Sequence, residues 1–128
     1  MGLDWIAFHL MADGEEFNIG SYRGKGVAYD KNIEEQHGEV RNDCYGDPEN
    51  VKTIKDDDGD DITRDNIMTE EQRDNITAAL EELLEADKDT IKHEENDSYE
   101  EWREWMQGAL DFLEGVDYDE GQYIWCWF

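Results

Sequence analysis

"QYIWCWF", residues 122–128, is the stretch on which the fold turns. Nearly every residue in it is apolar or aromatic, and a "DEG" turn at 119–121 precedes it. A short continuous apolar run bounded by a turn reads as a strand buried on both faces. Such a strand needs a neighbour. The natural one is "LDWIAFHLMA" (3–12), a second apolar, aromatic-rich run that stops at an Asp13–Gly14 turn. The two ends of the chain are therefore expected side by side in one sheet. "FNIGSY" (17–22) alternates apolar with small or polar residues and reads as a further strand.

Two helices follow late in the chain. Thr69 is a good N-cap, Gln72 three residues on completes a capping box, and Glu70 and Glu71 suit the positive end of the helix dipole. Ile76, Leu80, Leu83 and Leu84 then fall on one face, to about Ala86. Ser98 and Glu101 open a second helix in the same way, with a stripe of Trp102, Trp105, Met106, Ala109, Leu110 and Leu113, and Gly115 as its stop. A stripe of this kind reads as core. The expected fold is α+β: a small, largely antiparallel sheet, N- and C-terminal strands adjacent, packed by two C-terminal amphipathic helices.

Between these parts the pattern weakens. "VAYD" (27–30) reads as a return to extended chain, and 31–50 shows no clear period, with Gly46 and Pro48 marking a loop around "NDCYGDPEN". "VKTIK" (51–55) reads as a short strand leading into the acid run "DDDGDD" (56–61). The chain of 128 residues is expected to form one domain, with acidic loops near 42–66 and 87–97.

Thirty-six acids against eleven bases give a formal net charge of −25, a self-repulsion the fold must tolerate. Low hydrophobicity with high charge also marks disorder. Here the apolar residues are patterned, and fifteen aromatics (five Trp, six Tyr, four Phe) supply burial, roughly 150–250 Å² each. Two origins suit the charge. One is solvation in a salt-saturated cytoplasm, which the low lysine content fits. The other is imitation of nucleic acid: duplex DNA carries one charge per ~1.7 Å, so this charge equals roughly 40 Å of it. The acids placed for a partner are Asp56, Asp57, Asp58, Asp60 and Asp61 in the run, and Glu81, Glu82, Glu85 and Asp87 in the first helix.

Several functions are set aside. Direct nucleic-acid binding would meet repulsion on almost every face. "MGLDWIAFHL" lacks the positive start of a secretory leader, no run approaches the ~18 apolar residues that span a bilayer, and an anionic membrane would repel the chain. A cytoplasmic compartment is expected, with Cys44 and Cys126 as reduced thiols. No metal site is expected: Cys44, Cys126, His9, His37 and His93 lack ligand spacing. An EF-hand register that puts Gly59 at the sixth loop position puts Ile54 at the first, where a carboxylate is needed. No carboxylate pair or nucleophile triad is singled out, so no enzyme and no cofactor is expected.

One segment resists the charge. "GSYRGKGVAY" (20–29) has no acid, three glycines (Gly20, Gly24 and Gly26), and Arg23 and Lys25 between Tyr22 and Tyr29. Glycine frees the backbone for turning or close approach, and Arg and Lys there suit a phosphate or carboxylate. The plainer reading is a tight hairpin whose two cations pair with acids of the chain. It is not a phosphate loop, because the pattern GxxxxGK followed by Ser or Thr is absent and no helix start is apparent after it.

The ordered features resemble small proteins of phages and prophages that begin "MGLD" and have no characterised function. The likeness rests on "MGLDWIAF", on "GSYRG" (20–24), on "NDCYGD" (42–47), and on "SYEEWREWMQGALDFL" (98–113) before a terminal aromatic strand. Residues 50–66 depart from it. It implies a virus or mobile-element origin, with a haloarchaeal virus or another halophilic source indicated by the charge, and it supplies no catalytic residues. In its pattern the glycine–tyrosine turn sits beside the cysteine loop, which implies a ligand pocket of Tyr22, Arg23, Lys25, Asp43 and Cys44. Two functions stay open. The first is a non-enzymatic binding protein that engages a host protein with a basic surface, as a DNA mimic or inhibitor of a defence or nucleic-acid-handling enzyme. The second is a binder of a small anion or nucleotide through Gly20–Tyr29. A halophilic protein whose acids serve solvation alone is the bland alternative to both.

Overall fold

The computed structural model describes residues 2–11, 14–94 and 96–128. Asp13, part of the expected first turn, lies outside them. Strand β1 (Asp4–Leu10) lies between β2 (Glu16–Tyr22) and β6 (Gln122–Trp127), and β5 (Ile67–Met68) closes the other edge. Every pairing in this four-stranded sheet is antiparallel, in the order β2-β1-β6-β5. Trp5 pairs with Cys126 and Ala7 with Ile124, so the two ends of the chain form the centre of the sheet.

Burial on both faces of β6 has a source for each face. Ile124 and Cys126 point with Trp5 and Ala7 into the main core, under the helices. Tyr123 and Trp125 face the other way, with Phe8 and Ile67, beneath a separate hairpin of β3 (Lys52–Lys55) and β4 (Asp61–Arg64) whose Ile54 and Ile62 cover them. The molecule is thus three layers deep: hairpin, sheet, helices. The last two residues outrun β5, and Trp127 and Phe128 stay 53% and 45% exposed.

Helices α4 (Glu70–Glu85) and α5 (Tyr99–Glu114) pack side by side on the sheet. The α4 capping box is complete: the Thr69 hydroxyl accepts from the Gln72 N–H at 3.1 Å, and the Gln72 side chain accepts from the Thr69 N–H at 2.8 Å. For α5 the Ser98 hydroxyl accepts from the Glu101 N–H, but the Glu101 carboxylate takes the N–H of Asp97 instead of that of Ser98. Each helix also receives an arginine from the other at its C-terminal end. Arg103 donates to the Leu84 carbonyl, and Arg73 donates to those of Leu113 and Val116. Residue 73 meets 113 and residue 103 meets 84, so the helices run antiparallel.

The middle of the chain differs from expectation. Residues 27–30 do not return to extended chain: Lys25–Ala28 form a single helical turn, α1, with the Tyr29 N–H donating to the Lys25 carbonyl. Residues 31–50 are not one loop, because α2 (Lys31–Gln36) and α3 (Gly38–Asp43) occupy their first half. The start of α2 is fixed by Asp30, whose carboxylate accepts from the N–H groups of Asn32 and Ile33. The expected acidic loop at 42–66 holds the β3–β4 hairpin, and that at 87–97 holds a 3-10 turn (Lys88–Thr90) and the buried Ile91.

Strand β2 is the outer strand of the sheet. Ala7 pairs with Gly20 but Phe8 with Asn18, so Ile19 is an extra residue and β2 bulges there. Ile19 and Phe17 are 47% and 52% exposed.

Candidate anion-binding cleft

Residues 17–29, which contain no acid, run from the edge strand through α1. Gly24 is required by close approach: a Cβ there would lie 2.3 Å from the ring of the fully buried Trp5. That contact seats the start of α1 against the core and holds Arg23 and Lys25 outward, on either side of the glycine. Both are exposed, and neither forms an ion pair among the described residues. The reading of the island as a hairpin with internally paired cations therefore fails. The chain is instead a strand end, a glycine seat and a helical turn.

Arg23 and Lys25 line a cleft of about 260 Å³. Gly26, Tyr29 and Lys31 continue its near wall, Lys92, His93 and Asn96 lie on the far wall, and Trp105 and Met106 come from α5. Among the described residues, four Lys and Arg side chains, Arg23, Lys25, Lys31 and Lys92, thus meet at one opening with two acids, Asp30 and Glu94. Asp30 is already committed. Its carboxylate is 8% exposed as a residue, caps α2, and accepts the indole N–H of buried Trp102 at 2.8 Å. Burial holds its carboxyl above the usual range, while the hydrogen bonds from Trp102, Ile33 and Asn32 pull the other way.

The far wall is tied on by one buried side chain. Asn32, 1% exposed, donates from Nδ2 to the Lys92 carbonyl and accepts from the Lys92 N–H through Oδ1, both at 2.8 Å. This paired bond fixes the 91–94 segment to α2 across the cleft. The Lys92 ammonium then reaches both carboxylate oxygens of Glu35 at 2.7 Å, which holds its pKa above the ordinary lysine value. Arg23 and Lys25 have no such counterion.

The five residues expected to share a pocket divide. Arg23 and Lys25 do line the cleft, and Tyr22, Asp43 and Cys44 do not. Tyr22 lies across α5, stacked with Trp5 and Phe112, with its hydroxyl donating to the Trp105 carbonyl at 2.7 Å. Gly108 makes room for it, since a Cβ there would sit 2.7 Å from that hydroxyl oxygen. Asp43 faces α4, accepting from Asn75 at 3.3 Å. Cys44 is wholly buried, its carbonyl accepting the Trp5 indole N–H, and burial pushes its thiol pKa up to about 12. Trp105, expected in the helix stripe as core, is 42% exposed and belongs to the cleft.

The acids named for a partner surface fall into two groups. Asp56, Asp57, Asp58, Asp60 and Asp61 form the end of the β3–β4 hairpin, where the Asp56 carboxylate accepts the N–H groups of Asp58 and Asp60 and Gly59 takes a φ of +83°. Asp61 pairs with Lys55. Glu81, Glu82 and Glu85 lie on the solvent side of α4, and Asp87 caps the 3-10 turn after it. Hairpin and α4 pack on opposite faces of the sheet. Among the described residues no three His, Cys, Asp or Glu side chains are grouped as metal ligands, and no helix is long and apolar enough to cross a membrane. No family model matches the chain, and neither do any curated protein or solved structure.

Proposed function

We propose that this protein is a non-enzymatic binding protein whose cleft takes a small phosphate-bearing anion, held at Arg23 and Lys25. The observation that carries the reading is that neither cation forms an ion pair among the described residues, in a chain with thirty-six acids. Residues 17–29 contain no acid, and the described acids of the cleft, Asp30 and Glu94, form no ion pair with either cation. A phosphate that accepts from a guanidinium and an ammonium gains charge-assisted hydrogen bonds, roughly twice as strong as neutral ones. The chain's net charge of −25 disfavours large anions, so a ligand of small size suits the cations gathered at the cleft.

The partner-surface reading draws less support. A mimic of nucleic acid needs its acids on one connected face, and the two groups named for it lie on opposite sides of the sheet. That division fits acids spread for solvation.

The test is a titration calorimetry series with inorganic phosphate, pyrophosphate and phosphorylated metabolites, repeated on Arg23→Ala with Lys25→Ala. Binding is expected for at least one member of the series, with a loss of ten-fold or more in the double variant. No heat from any phosphate compound at millimolar concentration overturns the reading.

A further inference from the structure

We infer that the ligand of this cleft is a nucleotide, its base held between Tyr29 and Trp105 and its phosphates at Arg23 and Lys25. This rests on the anion-binding reading above and adds the chemistry of the ligand's other end. Tyr29 and Trp105 both line the cleft and are 46% and 42% exposed. In a chain that fully buries Trp5 and Trp102, two large rings left open on one small cleft are apolar area awaiting a planar partner.

Both rings are fixed from outside the cleft. The Arg41 guanidinium lies 5.4 Å from the Tyr29 centroid, and Tyr45 meets Tyr29 edge-on at 6.3 Å. Neither Arg41 nor Tyr45 lines the cleft, so Tyr29 is braced without its cleft side being used. Trp105 is held through its carbonyl by the Tyr22 hydroxyl and packs edge-on to the Tyr22 ring at 6.1 Å. Preorganised rings of this kind bind a base with little loss of side-chain freedom.

The spacing joins the two ends. Lys25 and Tyr29 are four residues apart on one helical turn, closed by the Tyr29 N–H to Lys25 carbonyl bond at 3.0 Å, so ammonium and ring share a face. Between them Gly26 leaves the wall bare, and a Cβ there would meet nothing within 4 Å. A cleft of about 260 Å³ lies just below the roughly 300–1,000 Å³ usual for small-ligand sites, which limits the ligand to a single nucleotide. The net charge of −25 disfavours a polynucleotide, whose further phosphates would extend past the cleft.

The experiment is calorimetric titration with ADP, GDP, CDP and UDP, with inorganic pyrophosphate as the control that has the diphosphate and no ring. At least one nucleoside diphosphate is expected to bind ten-fold or more tightly than pyrophosphate. Tyr29→Leu and Trp105→Leu, both at exposed positions, should each weaken that nucleotide about ten-fold and leave pyrophosphate unchanged. Gly26→Trp should block the nucleotide with no loss of thermal stability. If pyrophosphate binds as well as all four nucleotides, or Tyr29→Leu weakens both ligands equally, the base slot is wrong and the anion site stands. If neither pyrophosphate nor any nucleotide binds, this inference fails, and the phosphate series decides the anion reading separately.

Discussion

Two glycines two residues apart do opposite things in this chain. Gly24 lies on the ring of Trp5, where any Cβ would intrude to 2.3 Å of a side chain with no exposed surface. Gly26 faces open space and has no positive φ. Gly24→Ala is therefore expected to cost about 3 kcal/mol, the upper range for overpacking a core, because a buried indole has nowhere to move. Gly26→Ala is expected to be neutral or to stabilise by roughly 0.4–1 kcal/mol through the unfolded state. Urea unfolding of the two variants tests both, and equal midpoints would contradict the seating of α1 on Trp5. The charge-removal and ring-removal variants of the cleft belong to this scale too. Arg23→Ala with Lys25→Ala should cost binding and little stability, since neither side chain has an internal partner.

The helix pair is held at its ends by reciprocal capping. The last carbonyls of a helix lack intrahelical donors, and the positive charge of an arginine suits the negative end of the dipole. Arg73 serves two carbonyls, Leu113 at 3.0 Å and Val116 at 2.7 Å, and packs over the Tyr118 ring, whereas Arg103 serves only Leu84. Hydrogen bonds from a charged donor contribute about 1.5–3 kcal/mol. Arg73→Met is expected to lose about that much and Arg103→Met about half as much. Their effects should add within about 0.5 kcal/mol, since they act at opposite ends of the pair. Chemical denaturation of the two single variants and the double checks all three values. Elements of this size were legible in the sequence because four-residue periods and caps repeat within them. The short helices were not: in α2 and α3 the apolar positions, Ile33 and Val40, stand seven residues apart, so no period shows, and Asp30, which caps α2, ends a segment that reads as extended. Strand β4 was hidden in the acid run that begins its hairpin. Half of the cleft was legible, since an acid-free run in so acidic a chain singles out Arg23 and Lys25. Lys92 and Trp105 come from distant segments with no local mark, and Tyr22, Asp43 and Cys44, grouped with the cations only through the resemblance, turn toward other elements.

At the scale of the whole molecule, several of the few cations are spent at a seam between layers, while Arg23 and Lys25 stand open at the cleft. Lys52 lies 4.1 Å from the centroid of Tyr123 and Arg64 3.8 Å from that of Trp125, so hairpin cations face the sheet while hairpin acids face water. A buried carboxylate, Glu16, joins this seam by accepting from the Tyr123 hydroxyl at 2.7 Å. The outside is left almost uniformly negative. If those acids serve solvation, the unfolding midpoint should keep climbing in KCl well beyond ~1 M, where the Debye length has already fallen to about 3 Å and screening is nearly complete. A midpoint flat above that concentration would return the charge to a partner-binding role. The same distribution gives the bulge at Ile19 its meaning. Strand β2 is an open edge whose residues 17–22 carry no charge, so another copy could approach it with less repulsion than the acidic faces offer. The extra residue breaks the even row of amide and carbonyl groups that a second strand would need. The bulge thus shields an uncharged edge from strand pairing with another copy.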